Sequence, residues 1–174
     1  MQGKYDAGSL VRAINDYPKP GIVFRDITPV LQNAAAFSSL IDEFAAKLEG
    51  TDFDCIAGIE ARGFIIGSAL AYRMGKGFVP IRKKGKLPYK TIHRDYDLEY
   101  GKSSIEIHTD SIKKGEGVVI VDDLLATGGT AKAAAELVEE AGGSVKCIAF
   151  FIELSFLKGR EKLGRRKIIS LVKY

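Results

Sequence analysis

Asp122 and Asp123 stand side by side at the end of an apolar run, Val118 to Val121, and are followed by LLATGGT, Leu124 to Thr130. A buried strand that ends in adjacent carboxylates presents them at the carboxyl edge of a sheet, where open α/β folds hold their ligands. Gly128 and Gly129 lie just ahead of a helical pattern, where a flexible backbone lets successive N–H groups converge and a helix amino terminus adds partial positive charge. Carboxylates are poor partners for phosphate but good acceptors for sugar hydroxyls. The joined pattern therefore predicts a ribose 5-phosphate site, with the phosphate on Ala126, Thr127, Gly128, Gly129 and Thr130 and the sugar hydroxyls on Asp122 and Asp123. Each half alone has a plainer reading: an acidic strand end, and a turn whose Thr130 caps the next helix. The loop is neither a Walker-type lysine loop nor a dinucleotide fingerprint.

A second chemical signal is the stretch from Lys83 to Lys102, KKGKLPYKTIHRDYDLEYGK, dense in charge, glycine and aromatics. Long irregular insertions in small domains are usually functional. Gly85 and Pro88 interrupt the basic run of Arg82, Lys83, Lys84 and Lys86, which fits a mobile lid better than the solvated face of a helix. His93 and His108 have no metal-ligand spacing and receive no role. The basic segment from Leu157 to Lys167 has no interleaved aromatics and reads as a solvated helix and turn rather than a nucleic-acid site.

The elements that must position these groups follow from periodicity. Leu10, Val11, Ile14 and Tyr17 have helical spacing up to Pro18, and Phe37, Leu40, Ile41, Phe44 and Leu48 form the stripe of a helix over about 34–49, stopped by Gly50. Strands are expected at Phe53 to Ile59, Phe78 to Arg82, Ser103 to Thr109, Val118 to Asp123 and Val145 to Leu154, with helices after Gly63 and after Gly129. Strands alternating with helices define an α/β fold built on a mainly parallel sheet of about five strands.

Composition narrows the function classes. At 174 residues, with 46% apolar and 28% charged, the chain is expected to be one domain with a real core. A net charge of +4 suits an anionic small molecule and is thin for a dedicated nucleic-acid binder. The most apolar stretch, Phe64 to Tyr72, is far short of the roughly 20 residues that span a bilayer. The amino terminus lacks the apolar run of a secretory signal, so a cytoplasmic location is expected, and Cys55 and Cys147 read as buried free thiols.

VVIVDDLLATGGT resembles the phosphoribosyl diphosphate signature of the type I phosphoribosyltransferases. YPKPGIVFRDITPVL from Tyr17 to Leu31, then AGIEARGF, IRKKGKLP, YDLEYGK and ELSFLKGREKL, occur in the order seen in the adenine phosphoribosyltransferase family, and the resemblance runs from about Tyr17 to Leu163. The resemblance implies that adenine and 5-phosphoribosyl 1-diphosphate give AMP and diphosphate with Mg²⁺, the metal being held mainly through the substrate. It also implies a hood over about 1–33, a lid over about 83–102, and a homodimer. By similarity, Glu60, Ala61, Arg62 and Gly63 form a diphosphate loop, Lys86 reaches the diphosphate when the lid closes, and Arg82, Lys83 and Lys84 add positive charge nearby. Val23, Phe24, Arg25 and Leu154 would hold adenine. Glu99, joined in the lid by Tyr100, would be the catalytic carboxylate, acting with Arg62 and Lys86. Asp26, Thr28 and Pro29 are expected to shape a turn. The rivals are a phosphoribosyltransferase for another purine, and a non-catalytic regulator that keeps the phosphoribosyl diphosphate loop but carries an added DNA-binding domain, for which little chain precedes Tyr17.

Overall fold

Residues 6–98 and 101–174 are described by the computed structural model. The described chain begins with a short 3-10 turn, Ala7–Leu10, and then forms a hairpin where the spacing predicts a helix: β1 (Arg12–Asn15) pairs antiparallel with β2 (Val23–Asp26). A helix this short gains too little from its own hydrogen bonds to persist alone. The chain instead reverses through Asp16 and Gly21, both at positive φ, with the Asp16 carboxylate accepting from the Gly21 N–H at 2.7 Å. Asp26 then closes the hairpin. Its carboxylate accepts from Arg12 Nη2 at 2.6 Å and from the Thr28 N–H at 2.9 Å, so it shapes the turn as expected.

α1 (Thr28–Gln32) starts with Pro29 in its first turn, and α2 (Ala34–Leu48) is capped by the Asn33 side chain on the Ala36 N–H at 3.0 Å. Of the predicted stripe, Leu40, Ile41, Phe44 and Leu48 are buried. β3 (Cys55–Ile59) leads into α3 (Arg62–Met74), and β4 (Gly77–Lys83) lies parallel to β3. The stretch expected to be irregular contains β5 (Thr91–Leu98), which pairs along its whole length with β6 (Gly101–His108). Its alternation was hidden by charged residues, because one face of this edge ribbon meets solvent. β7 (Gly117–Leu125), α4 (Gly129–Glu140), β8 (Ser144–Glu153) and β9 (Ile168–Lys173) complete the chain.

The sheet order is β5-β6-β4-β3-β7-β8-β9. Five strands, β4, β3, β7, β8 and β9, are mutually parallel. They are not the five expected, since Ser103 to Thr109 belongs to the antiparallel ribbon and β9 went unread. The basic segment before β9 is also corrected: it holds 3-10 turns at Ser155–Leu157 and Gly159–Leu163, with Gly159 and Leu163 buried. Alternation along β7 divides the core in two. Val119 and Val121 pack with α2 and α3, while Val118 and Ile120 pack with α4. The strand is therefore covered on both faces, which is why it reads as a continuous apolar run.

Asp26 is held at a pKa of about 2, chiefly by its hydrogen bonds with Thr28 and then Arg12. A depressed carboxylate stabilises the fold above its unfolded pKa and loses that contribution as pH falls through the folded value. Asp26→Asn is expected to lower the melting midpoint at pH 7, with the gap from the parent narrowing between about pH 4 and pH 2; melting curves across that window check it.

Candidate active site

The site forms where the strand order reverses. From β3 the chain crosses to β4 on one side, while β7 pairs on the other, so the carboxyl ends of β3 and β7 open a crevice between two loops that each start a helix. Glu60 and Ala61 lead into α3, and Ala126 to Gly128 lead into α4. Gly63 allows their approach: a Cβ there would lie 2.7 Å from the Val121 carbonyl and 3.1 Å from Asp122 Oδ1. No other residue fits that contact without moving the backbone.

Asp122 and Asp123 lie two residues inside the end of β7 rather than at its tip. Asp123 is buried, and Arg62 Nε lies 2.8 Å from its Oδ2. That pair is close but poorly aligned for a hydrogen bond, so Asp123 Oδ2 remains a buried acceptor without a hydrogen-bond donor. Asp122 Oδ1 accepts from the Asp123 N–H at 2.9 Å. Burial, followed by the charge of Asp123, raises the Asp122 pKa well above the ordinary carboxylate range. Burial also raises that of Asp123, with Arg62 acting in the opposite sense. Two acids with unspent acceptor capacity suit hydroxyl donors or a cation.

The predicted phosphate residues line one cavity of about 350 Å³, formed by Asp122, Leu124 to Ala131 and Phe150. Gly128 is the cap residue of α4 at φ 81, and no side chain bonds to the first turn. Thr130 therefore sits inside the helix and does not cap it, leaving the first N–H groups directed at the cavity. Gly159 lies against this loop so closely that a Cβ on either Gly128 or Gly159 would overlap the other strand of backbone. Gly159 is followed by Arg160, whose guanidinium bonds the buried Glu153 carboxylate at 2.6 and 2.7 Å and Ser170 Oγ at 3.1 Å. Sequence reasoning missed this support. Its signal was there: Glu153, like the Asp122–Asp123 pair, is acidic and directly follows a continuous apolar run.

On the opposite lip, Glu60 does not stand free. Arg82 Nη2 donates to its Oε1 at 3.1 Å and Arg82 Nε to its Oε2 at 3.2 Å, and the Lys83 N–H also donates to Oε2 at 3.1 Å. Arg82, the largest influence, holds Glu60 below its ordinary pKa. Ala61 is exposed, as are Lys83 and Lys86. Of the adenine candidates, Phe24 faces Arg62: the Arg62 guanidinium carbon is 5.2 Å from its ring centroid, and Tyr17 packs edge-on against it at 5.3 Å. Val23 is exposed beside it. Arg25 stacks on the ring of Tyr174 at 3.7 Å, a partner the sequence did not suggest. Leu154 donates its N–H to the Leu125 carbonyl at 2.9 Å, next to the phosphate loop. Glu99 and Tyr100 lie outside the described residues.

A glycine-built anion loop and an acidic pair at the switch point of a parallel sheet mark a phosphoribosyl transferase domain, and a family model of that description matches residues 30–170. The chain is 54% identical to the adenine phosphoribosyltransferase of a Roseiflexus species, over 95% of this chain and 96% of that one. It is 57% identical to the enzyme of the same name from Caldanaerobacter subterraneus, over 97% and 98%. The crystal structure of adenine phosphoribosyltransferase from Thermoanaerobacter pseudethanolicus superposes with a TM-score of 0.94 at 56% identity, covering 97% of this chain and 98% of that one. The chain belongs to the adenine phosphoribosyltransferase family.

Because Asp122 is raised above its unfolded pKa, its ionisation destabilises the ligand-free fold as pH rises from the unfolded value through the folded one. Asp122→Asn keeps an acceptor for the Asp123 N–H and removes the repulsion. It is expected to raise the ligand-free melting midpoint at pH 7 while lowering kcat/KM by about 10- to 100-fold, the worth of a hydrogen bond to a charged group. Calorimetry and steady-state kinetics on one preparation check both signs.

Proposed function

We propose that this chain transfers the phosphoribosyl group of 5-phosphoribosyl 1-diphosphate to N9 of adenine, releasing AMP and diphosphate. The observation that carries the reading is the position of Arg62, which touches Asp123 on one side and faces the Phe24 ring on the other, so that sugar, leaving group and base meet at one guanidinium. The N–H groups of Ala126 to Thr130 hold the 5-phosphate, and Asp122 and Asp123 take the ribose hydroxyls. Arg62, Lys83 and Lys86 stabilise the departing diphosphate, whose charge grows as the bond to carbon 1 breaks. Glu60 and Ala61 shape that lip. Arg82, engaged by Glu60, contributes chiefly through that pairing.

Among the described residues no cluster of three or more His, Cys, Asp or Glu side chains forms a metal cage. The orphaned acceptor on Asp123 and the mutual repulsion of the pair nonetheless fit a dication whose other ligands come from substrate oxygens and water, the manner in which Mg²⁺ is commonly held. Asp122 and Asp123 would lie beside it. Bound there, Mg²⁺ would neutralise diphosphate charge.

Adenine presents a donor at its 6-amino group and an acceptor at N1, and hypoxanthine and guanine invert both. Fixed backbone groups at Val23 and Arg25 would select between them, with Phe24 and Leu154 as the walls of the base site. Glu99 accepts the proton lost from the base, or holds the attacking tautomer, and Tyr100 accompanies it. We place the protein in the cytoplasm, a reading supported by two buried free thiols on opposite faces of the sheet. The described helices include none long and apolar enough to cross a membrane.

Incubation with phosphoribosyl diphosphate, Mg²⁺ and one base per tube should give AMP with adenine and no nucleotide with hypoxanthine, guanine or xanthine. Turnover of another purine overturns the base assignment, and binding without turnover points to a regulator. In the same assay Glu99→Gln is expected to slow the chemical step by about 10²-fold or more, and a loss under about tenfold would leave Glu99 only a positioning role. For assembly we propose a homodimer built on the outer face of α3, where Ile65 is 45% exposed and Tyr72, which shares a groove with Phe37 of α2, is 91% exposed. Ile65→Glu with Tyr72→Glu should convert a dimer to a monomer in light scattering, with the circular dichroism spectrum unchanged.

A further inference from the structure

The resemblance implies that residues 83–102 move as a lid. The part of this stretch that carries Lys86 is instead held from two sides. The Lys86 carbonyl accepts from Arg82 Nη1 at 2.9 Å, and its N–H donates to Glu106 Oε1 at 2.9 Å. The Leu87 N–H donates to the same Glu106 oxygen at 2.8 Å, and Thr91 Oγ1 donates to Glu106 Oε2 at 3.2 Å. Glu106 is 3% exposed and sits on β6 directly opposite Arg82 of β4 and His93 of β5. Arg82 also grips Glu60, so an unbroken path runs from the diphosphate lip through Arg82 and the Lys86 peptide to Glu106.

Neither the motifs nor the resemblance marks Glu106. A carboxylate taken out of water is costly to keep unless its oxygens are fully used. Here backbone N–H groups of the turn outweigh the opposing effect of burial and hold the acid below its ordinary pKa, so it is charged at neutral pH. Gly85, at φ 84, supplies the bend that points two consecutive N–H groups at one oxygen.

We propose that Glu106 is a positioning residue for phosphoribosyl transfer: its buried carboxylate and Arg82 clamp opposite sides of the Lys86 peptide, so the Lys86 ammonium is presented to diphosphate by a preformed turn and not delivered by a closing lid. The proposal rests on the phosphoribosyl transfer reading above. The geometry of Lys86 is then set before substrate arrives.

Amide hydrogen exchange on the ligand-free parent protein tests the clamp without reference to activity. The Lys86 and Leu87 amides should exchange at least tenfold more slowly than unprotected ones, and free exchange there overturns the proposal. Glu106→Leu should abolish that protection while β7 and α4 keep theirs. In kinetics the same variant should raise KM for phosphoribosyl diphosphate about tenfold and KM for adenine less than twofold, and Glu106→Gln, which keeps an acceptor, should restore most of the loss. The double variant with Lys86→Ala should be no worse than Lys86→Ala alone, because both act through one ammonium. Equal effects on both KM values, or full additivity, would reduce Glu106 to a structural tie. If Glu106→Leu does not fold, the parent's exchange rates and Glu106→Gln kinetics decide the matter. A parent that turns over no adenine would sink the functional reading while leaving the exchange result standing.

Discussion

Two neighbouring carboxylates near the end of a central strand, Asp123 buried and Asp122 half-buried, set the demand that the surrounding structure answers. Asp122 and Asp123 repel each other and lose hydration together, and either effect favours protonation. A fold selected only for stability would not place them there. Arg62 offsets part of the repulsion from the first turn of α3, and Gly63 is what brings that turn close enough. Acceptor capacity nonetheless remains: Asp122 lines the cavity of the glycine loop, and Asp123 Oδ2, beside Arg62, has no hydrogen-bond donor. Strain of this kind at a site is the expected cost of preorganisation.

Close backbone approach is the second constraint, and it recurs on both sides of the crevice. Gly63 seats α3 on β7, and Gly128 and Gly159 seat the phosphate loop on the turn that follows β8. In each place a side chain would push apart two segments whose N–H groups must converge. The supports beneath are ion pairs: Arg160 with the buried Glu153 under the glycine loop, and Arg82 with the half-buried Glu60 at the opposite lip. These pairs hold loops of irregular backbone, which have few apolar contacts of their own, in one geometry.

The amino-terminal hairpin meets Arg62 through the Phe24 ring. Phe24 is held by the β1–β2 hairpin, and that hairpin is tied to α1 by Asp26. Arg62 faces Phe24 and touches Asp123, so in the proposed reading the base side and the sugar side of the crevice share one cation. Replacement of any of the three is therefore expected to be felt by both substrates.

The site-bearing half of the fold was legible in the sequence because its signals are local. A strand buried on both faces must be apolar throughout, a phosphate loop must carry glycine before a helix, and α2 shows its stripe wherever it is placed; all three were read within a few residues of their observed bounds. The resemblance then added Arg62, Phe24 and the diphosphate lip from motif order alone. What tertiary structure decided were the features in which distant segments settle each other's conformation. Leu10 to Tyr17 has helical spacing, yet Arg12–Asn15 within it pairs as a strand, because Val23–Asp26 is available to it. Thr91–Leu98 looks irregular because an edge ribbon needs only one apolar face, and β9 went unseen behind a basic run. Glu106 and Tyr174 lie outside every motif, and Gly159 lies within one that gave it no role. Their meaning lies in partners that only the folded chain brings within reach: the Lys86 turn, the Gly128 loop and the Arg25 guanidinium.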